Sequence, residues 1–184
     1  MSRTTASLVI ISYNGRHYLE DCLDSVLAEC WPGCQLILVD NASQDGSPEW
    51  IQASYPDIQL VCNPHNLGFA AACNQGAALA CGDVLVFLNQ DTRVAPGWLG
   101  ALLAGLEHHP QVALATSKVL LMSDPHRIHL CGQDMHYTGL VFGRAFNQPQ
   151  SSCAQVEQVS AVSGASSGFW PILLTIFSMI AGLT

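Results

Sequence analysis

Asp91 is the only acid in the segment Asn89-Gln90-Asp91-Thr92, which lies directly behind an apolar run at residues 84–88. A carboxylate so placed can give one hard oxygen to Mg²⁺ or Mn²⁺. These ions keep several waters and take further ligands from substrate phosphates, so one or two protein oxygens suffice when a diphosphate is present. An Asx turn is the other role open to the segment. Asp40 closes a second apolar run at 36–39. There it can accept hydrogen bonds from a ribose hydroxyl or a nucleobase N–H, or it can stabilise a turn or cap a helix. In Asn66-Leu67-Gly68-Phe69 a flexible Gly opens a helix, where free N–H groups and the helix dipole favour an anion or a ribose hydroxyl. Ser12-Tyr13-Asn14-Gly15 ends the first apolar run without the Gly-x-Gly-x-x-Gly pattern of dinucleotide binding. His17, His65, His108 and His109 lack partners at metal-site spacing and read as surface or capping residues. A zinc pair at His126 and His129 is disfavoured by the weak patterning around it.

These segments sit in a chain of 184 residues that is 49% apolar and 11% charged, with a formal net charge of −8. The composition is that of one globular domain and excludes disorder as the main description. Six basic residues against fourteen acidic ones exclude a general nucleic-acid surface. Phosphate must therefore be held by backbone N–H groups, helix N-termini or a metal ion. The eight cysteines lack Cys-x-x-Cys spacing and read as buried thiols of a cytosolic protein. The first apolar run, 8–11, is too short for a signal-peptide core or a membrane span.

The elements that position the polar segments follow from periodicity. SLVIIS at 7–12 is β-branched with no helical period and predicts a buried strand. From 18 to 30 the apolar residues recur at three and four, an amphipathic helix ended by Trp31-Pro32-Gly33. Residues 36–39 form a strand, and Ser47-Pro48-Glu49 opens a helix with Ser at the cap and Pro at the first turn. The cycle repeats: strand 58–62, Ala-rich helix 67–80, strand 84–88, a helix from Pro96 to about His108, and one or two strands within 112–121. Beyond these, Asp124-Pro125 is a break, 130–146 a hairpin around Thr138-Gly139, and 147–154 a polar loop. Such alternation predicts an α/β fold, with a mainly parallel central sheet and helices on both faces. Ligands in such sheets sit at the carboxyl ends of the strands, where the four polar segments lie.

The series VIISYNG (9–15), VDNASQDGS (39–47), NPHNLGFAAACNQG (63–76) and VLVFLNQDT (84–92) resembles, in this order and spacing, the family 2 glycosyltransferases. The resemblance is nearest to their rhamnosyltransferase-like bacterial members and covers about residues 6–165. It implies a GT-A fold, with a nucleotide-sugar-binding part at 1–122 within a domain spanning 1–165, and an acceptor half that is incomplete here. Carried over position by position, Ser12, Tyr13 and Asn14 line the nucleotide pocket, Asp40 contacts the base, and Asn66 and Gly68 lie along the nucleoside. Asn89-Gln90-Asp91 stands at the family's Asp-x-Asp motif. Asp91 is then the ligand for the Mg²⁺ or Mn²⁺ that bridges the donor diphosphate, and Asn89 replaces the first Asp. Ser163 and Gly164, in a Ser-Gly-Ala segment, border the donor sugar and acceptor. The implied reaction is inverting transfer from a dTDP- or UDP-linked sugar to a glycan or lipid-linked acceptor. The implied setting is cell-wall or polysaccharide synthesis by a cytoplasmic protein, with peripheral association at the inner face of the membrane.

The family supplies its base from an acidic motif after the Ser-Gly-Ala segment, whereas no Asp or Glu follows Glu157 here and residues 166–184 form an uncharged apolar tail. Truncation or a frameshift, a membrane-facing tail and a strand packed under the sheet are the three explanations, the first being preferred. A spanning helix is disfavoured, because residues 169–184 reach about 24 Å as a helix against a hydrocarbon core of about 30 Å. The alternative function is an inactive or truncated relative that binds nucleotide sugar without turnover. An unrelated α/β nucleotide-binding module is disfavoured by the lack of a phosphate-loop glycine pattern.

Overall fold

The computed structural model describes residues 4–30, 32–109, 111–162 and 166–169. Four strand-helix units come first: β1 (Ala6–Ser12), α1 (Arg16–Glu29), β2 (Gln35–Asp40), α2 (Ser47–Ser54), β3 (Gln59–Cys62), α3 (Phe69–Leu79), β4 (Val84–Asn89) and α4 (Trp98–Glu107). Short strands follow: β5 (Leu114–Thr116), β6 (Val119–Leu121), β7 (Asp124–Leu130), β8 (Gln133–Met135), β9 (Val141–Gly143) and β10 (Ser166–Phe169). The central sheet has six strands in the order β3-β2-β1-β4-β10-β5; β1 to β4 are mutually parallel, and β10 runs antiparallel to both its neighbours.

β1 is buried throughout because it lies between β2 and β4 and is covered on both faces, which is why its sequence shows no alternation. Leu8 and Ile10 pack into one core with Leu19, Leu23, Ile51 and Leu99, contributed by α1, α2 and α4. Val9 and Ile11 face the other way, with Ile37, Val39 and Ala72. Among the described helices α3 covers that second face, and closely: a Cβ on Gly76 would lie 2.2 Å from Val9 Cγ1 and 3.3 Å from Val39 Cγ2. Its run of alanines is thus a requirement of near approach to the sheet.

The expected α/β class is present, with several local corrections. α4 starts at Trp98, two residues after Pro96, because Gly97 takes a left-handed φ of 80° that ends the preceding turn. α3 starts at Phe69 after Gly68 (φ 83°, ψ 160°). Asp124-Pro125 does not break the chain but begins β7, which pairs with β6 across two register shifts, the second of which, between Leu120 and Leu121, spans the proline. The stretch 147–154 contains a 3₁₀ turn, Gln150–Cys153. The hairpin about Gly139 is found as β8 and β9; Tyr137, Leu140, Phe142 and Phe146, on it or just after it, are exposed. Of the cysteines expected to be buried, only Cys22 is; Cys62, on the edge strand β3, and Cys81, in the turn before β4, are exposed. All eight are free thiols. The segment from residue 166 onward begins as β10 within the sheet, and residues 170–184 lie outside the described residues. Among the described residues no helix is long and apolar enough to cross a membrane.

Candidate functional site

The carboxyl ends of β1, β2 and β4, with the start of α3, enclose a cleft of about 390 Å³ lined by Ile11, Tyr13, Asn41, Asn66, Gly68, Phe69, Asn89, Gln90 and Asp91. A larger groove, about 690 Å³, lies by β5 and residues 153–162, but its cations are engaged. Lys118 Nζ donates to the Gln150 and Cys153 carbonyls, and Arg144 pairs with Asp134 and Glu157. The smaller cleft holds the unspent chemistry.

At the end of β4 the chain turns by a backbone bond from the Thr92 N–H to the Asn89 carbonyl, 3.2 Å. The turn therefore does not use the Asp91 side chain. Among the described residues that exposed carboxylate makes no hydrogen bond or ion pair. Behind it, burial pushes the Cys22 thiol up to about 12, with the Asp91 charge adding to the rise, so Cys22 is a packing group rather than a nucleophile.

A network of amides builds the opposite wall. Asn41, buried at the end of β2, donates from Nδ2 to Asn66 Oδ1 at 2.8 Å, while its Oδ1 accepts from the Leu67 N–H at 2.9 Å and from Asn63 Nδ2 at 3.2 Å. Asn66 Oδ1 also accepts from the Gly68 N–H at 2.8 Å, and Asn63 exchanges two bonds with Gln75 at 2.8 and 2.9 Å. These bonds hold the loop before α3 so that the helix N-terminus opens on the cleft. Tyr13 and Phe69, 48% and 54% exposed, provide aromatic surface beside it.

Asn14 has a left-handed φ of 49° and lies outside the cleft lining; its N–H donates to Ser43 Oγ and its Oδ1 accepts from the Gln44 N–H. Ser12 and Asp40 lie in register beneath the cleft rather than on its wall, both fully buried. Asp40 Oδ2 accepts from the Ser43 N–H at 2.8 Å, whereas Asp40 Oδ1 and Ser12 Oγ have no hydrogen-bond partner among the described residues. Buried polar atoms are nearly always paired, so two orphans at adjacent strand ends mark a place that a polar group completes. Asp45 braces two helices: its carboxylate accepts from the Arg16 N–H at 2.8 Å and from the Ser47 N–H and hydroxyl. Burial raises its pKa, but these bonds outweigh burial and hold it below the usual value. Ser163 and Gly164 lie outside the described residues.

Asn41, Asn63, Gln75 and Gln90 escape a reading by residue type, because amides at strand ends look like ordinary turn formers. The available signal is their density: an amide stands at or beside the end of each of β2, β3 and β4.

The profile of Glycosyl transferase family 2 matches residues 7–147. The chain belongs to this family. As a family 2 glycosyltransferase sequence it is 26% identical over 119 residues to the glucosyl-dolichyl phosphate glucuronosyltransferase of Haloferax volcanii, covering 62% of this chain and 38% of that one. It is 35% identical over 91 residues to the putative teichuronic acid biosynthesis glycosyltransferase TuaG of Bacillus subtilis, covering 47% and 36%. The family 2 chain thus spans less than two fifths of either relative. Among solved structures it resembles the mannosyltransferase of Pyrobaculum calidifontis in complex with GDP-Man and Mn²⁺, at TM-score 0.68 and 20% identity over 96% of this chain and 47% of that one. It also resembles GalNAc-T7 with UDP, GalNAc and Mn²⁺, at TM-score 0.71 and 18% identity over 94% and 36%. At these identities the likeness is one of fold, and that fold is GT-A.

Proposed function

We propose that this chain carries the donor site of an inverting glycosyltransferase, which moves a sugar from a UDP- or dTDP-linked donor to a glycan or lipid-linked acceptor. The observation that carries the reading is the charge of the cleft: among the described residues no Lys or Arg lines it, and the one carboxylate there, Asp91, is exposed and unengaged. A diphosphate entering such a cleft needs an added cation. Among the described residues no group of three His, Cys, Asp or Glu side chains could cage a metal. A single hard carboxylate oxygen fits Mg²⁺ or Mn²⁺ held chiefly by phosphate and water oxygens. When bound, that ion neutralises the diphosphate and stabilises it as a leaving group.

The chain's own residues supply the remainder. Asp91 holds the ion, with Asn89 beside it as a neutral neighbour. Asp40 is the acceptor for a base N–H and Ser12 closes the polar end of the nucleoside pocket; because both lie beneath the cleft wall, their two orphaned atoms meet the nucleoside only when the loop after β2 yields. Tyr13 offers its ring to the base, while Asn66, through the amide protons left free, and Gly68, at the head of α3, follow the ribose. Asn14 acts one step back, by holding the loop after β2. The rhamnosyltransferase-like motif series makes dTDP-rhamnose the first donor to try. Cell-wall or polysaccharide synthesis at the inner face of the membrane, by a cytoplasmic protein in peripheral contact with it, is the matching setting. Relatives named for glucosyl-dolichyl phosphate and teichuronic acid support such acceptors.

The test is titration with UDP-, dTDP- and GDP-linked sugars in Mn²⁺ and in EDTA, followed by assay of nucleoside diphosphate release with a polyprenyl-phosphate-linked acceptor. Metal-dependent binding lost in Asp91→Ala supports the donor site. Absence of metal-dependent binding with every donor overturns it. Binding without turnover identifies the second reading, a relative that holds nucleotide sugar and does not transfer it.

A further inference from the structure

Gln90 stands between Asn89 and Asp91, and its carboxamide reaches across the strand ends to β1. Oε1 accepts from the Tyr13 N–H at 2.9 Å, and Nε2 donates to the Tyr13 carbonyl at 3.2 Å. One side chain thus satisfies both peptide groups of a residue far away in sequence, as a neighbouring strand would. Gly15 makes the room: a Cβ there would lie 2.1 Å from Gln90 Oε1 and 2.3 Å from Cδ. The φ of Gly15 is −111°, on the side that L residues adopt, so glycine is needed there for Gln90 and not for its own backbone. Tyr13, Gly15 and Gln90 form one lock, and Tyr13 and Gln90 line the cleft together with Asp91.

We propose that Gln90 is a positioning residue, which ties the loop between β1 and α1 to the end of β4 and so holds Tyr13 and Asp91 in the relative placement that metal-bridged nucleoside diphosphate binding requires. This rests on the reading of the cleft given above. Gln90 need not touch the ligand; it acts through the backbone that carries Asp91 and the ring of Tyr13.

Two substitutions break the lock from opposite sides. Gln90→Ala removes the carboxamide. Gly15→Ala evicts it, because the atoms it displaces are the far end of a flexible side chain that can swing away at little cost to the fold. Affinities for UDP, dTDP and GDP are measured by calorimetry in Mn²⁺ and in EDTA for the whole chain, both single variants, the double variant and Asp91→Asn, with urea midpoints alongside. Each single variant is expected to lose about tenfold of the affinity gained on adding Mn²⁺, the scale typical of removing a group that orients a metal ligand. Affinity in EDTA, where the Tyr13 ring still meets the base, falls by less than this, and the double variant is no worse than either single one, since both remove the same lock. A gain kept by either single variant, additive losses in the double, or a parallel fall of the urea midpoint and both affinities overturns the positioning role. If Asp91→Asn alone abolishes the gain, the lock fails and the cleft reading stands. If the unmodified chain shows no gain with any of the three nucleotides, the cleft reading fails and takes the positioning role with it. Gly15→Ala keeps Gln90, so a Gln90→Ala chain that does not fold leaves the test intact.

Discussion

Replacing Gly76 with alanine sets helix propensity against packing, and the geometry decides the sign. In an exposed helix the change would stabilise by about 0.8–1 kcal/mol, the helix-propensity difference between the two residues. Here the new methyl would lie 2.2 Å from Val9 Cγ1, whereas carbon atoms rest at about 3.5–4.0 Å. Val9 is fully buried on the central strand, and its branched side chain has little rotamer freedom with which to retreat. α3 must therefore lift from the sheet. Overpacking of this kind costs about 1–3 kcal/mol, and the depth of the overlap places Gly76→Ala at the upper end. The net expectation is a loss of about 1–2 kcal/mol. With a urea slope of about 2 kcal/mol/M, the midpoint measured by circular dichroism falls by about 0.5–1 M. Since α3 opens on the cleft at Gly68 and Phe69, metal-dependent nucleotide affinity should fall with it. Trimming Val9 in the same chain relieves the overlap, so Val9→Ala with Gly76→Ala should cost less than the two changes summed. A Gly76→Ala chain as stable as the unmodified one, or more so, would refute the close approach of α3 to the sheet.

Further outcomes follow from the cleft and the loops that frame it. Asp91→Asn preserves size and removes charge; it should abolish the Mn²⁺-dependent part of nucleotide binding while leaving the unfolding free energy from urea titration within about 0.5 kcal/mol of the unmodified protein, as for an exposed side chain with no partner among the described residues. Asn41→Leu strands the Leu67 N–H and takes one bond each from Asn66, which keeps the Gly68 N–H, and from Asn63, which keeps Gln75, so a loss of about 1–3 kcal/mol is expected in urea titration. Asp45 has a lowered folded pKa, so its contribution is full above the unfolded value of about 3.9 and disappears as pH falls through the folded one. Asp45→Ala should cost about 0.5–2 kcal/mol at pH 7, as for loss of a helix cap, with the difference from the unmodified chain shrinking toward pH 2. A difference that grows on acidification contradicts the assigned role of its hydrogen bonds.

The alternation of strands and helices was legible because each element announces itself within a few residues. SLVIIS is a short β-branched run that reads as a buried strand, and Ser47-Pro48 marks the start of α2, although the cap residue is Gly46 and the Ser47 hydroxyl donates to Asp45 instead of capping. The strand-end rule then pointed to the segments that meet at the cleft. β10 was not legible: Ser166–Phe169 is four residues without alternation, and its place depends on β4 having an open edge that β5 does not fill. The exposure of Cys62 is illegible for a related reason. Cys62 belongs to a strand by its sequence, but its exposure follows from β3 lying at the sheet edge. At the site, Asn14 and Asp91 look alike as polar residues after strands, yet one is spent on the Ser43-Gln44 loop and the other is free.

By itself the sequence determined the α/β class, the four strand ends, the family and the placing of a single acid behind β4. Periodicity, capping and turn chemistry act over a few residues and need no partner from elsewhere. Only the tertiary structure decided the strand order, the approach of α3 made possible by Gly76, the burial of Ser12 and Asp40 beneath the cleft, and the bonding of Gln90 to Tyr13. Each of these is a contact between residues tens of positions apart. Whether a side chain there is consumed or left free depends on what the sheet brings against it.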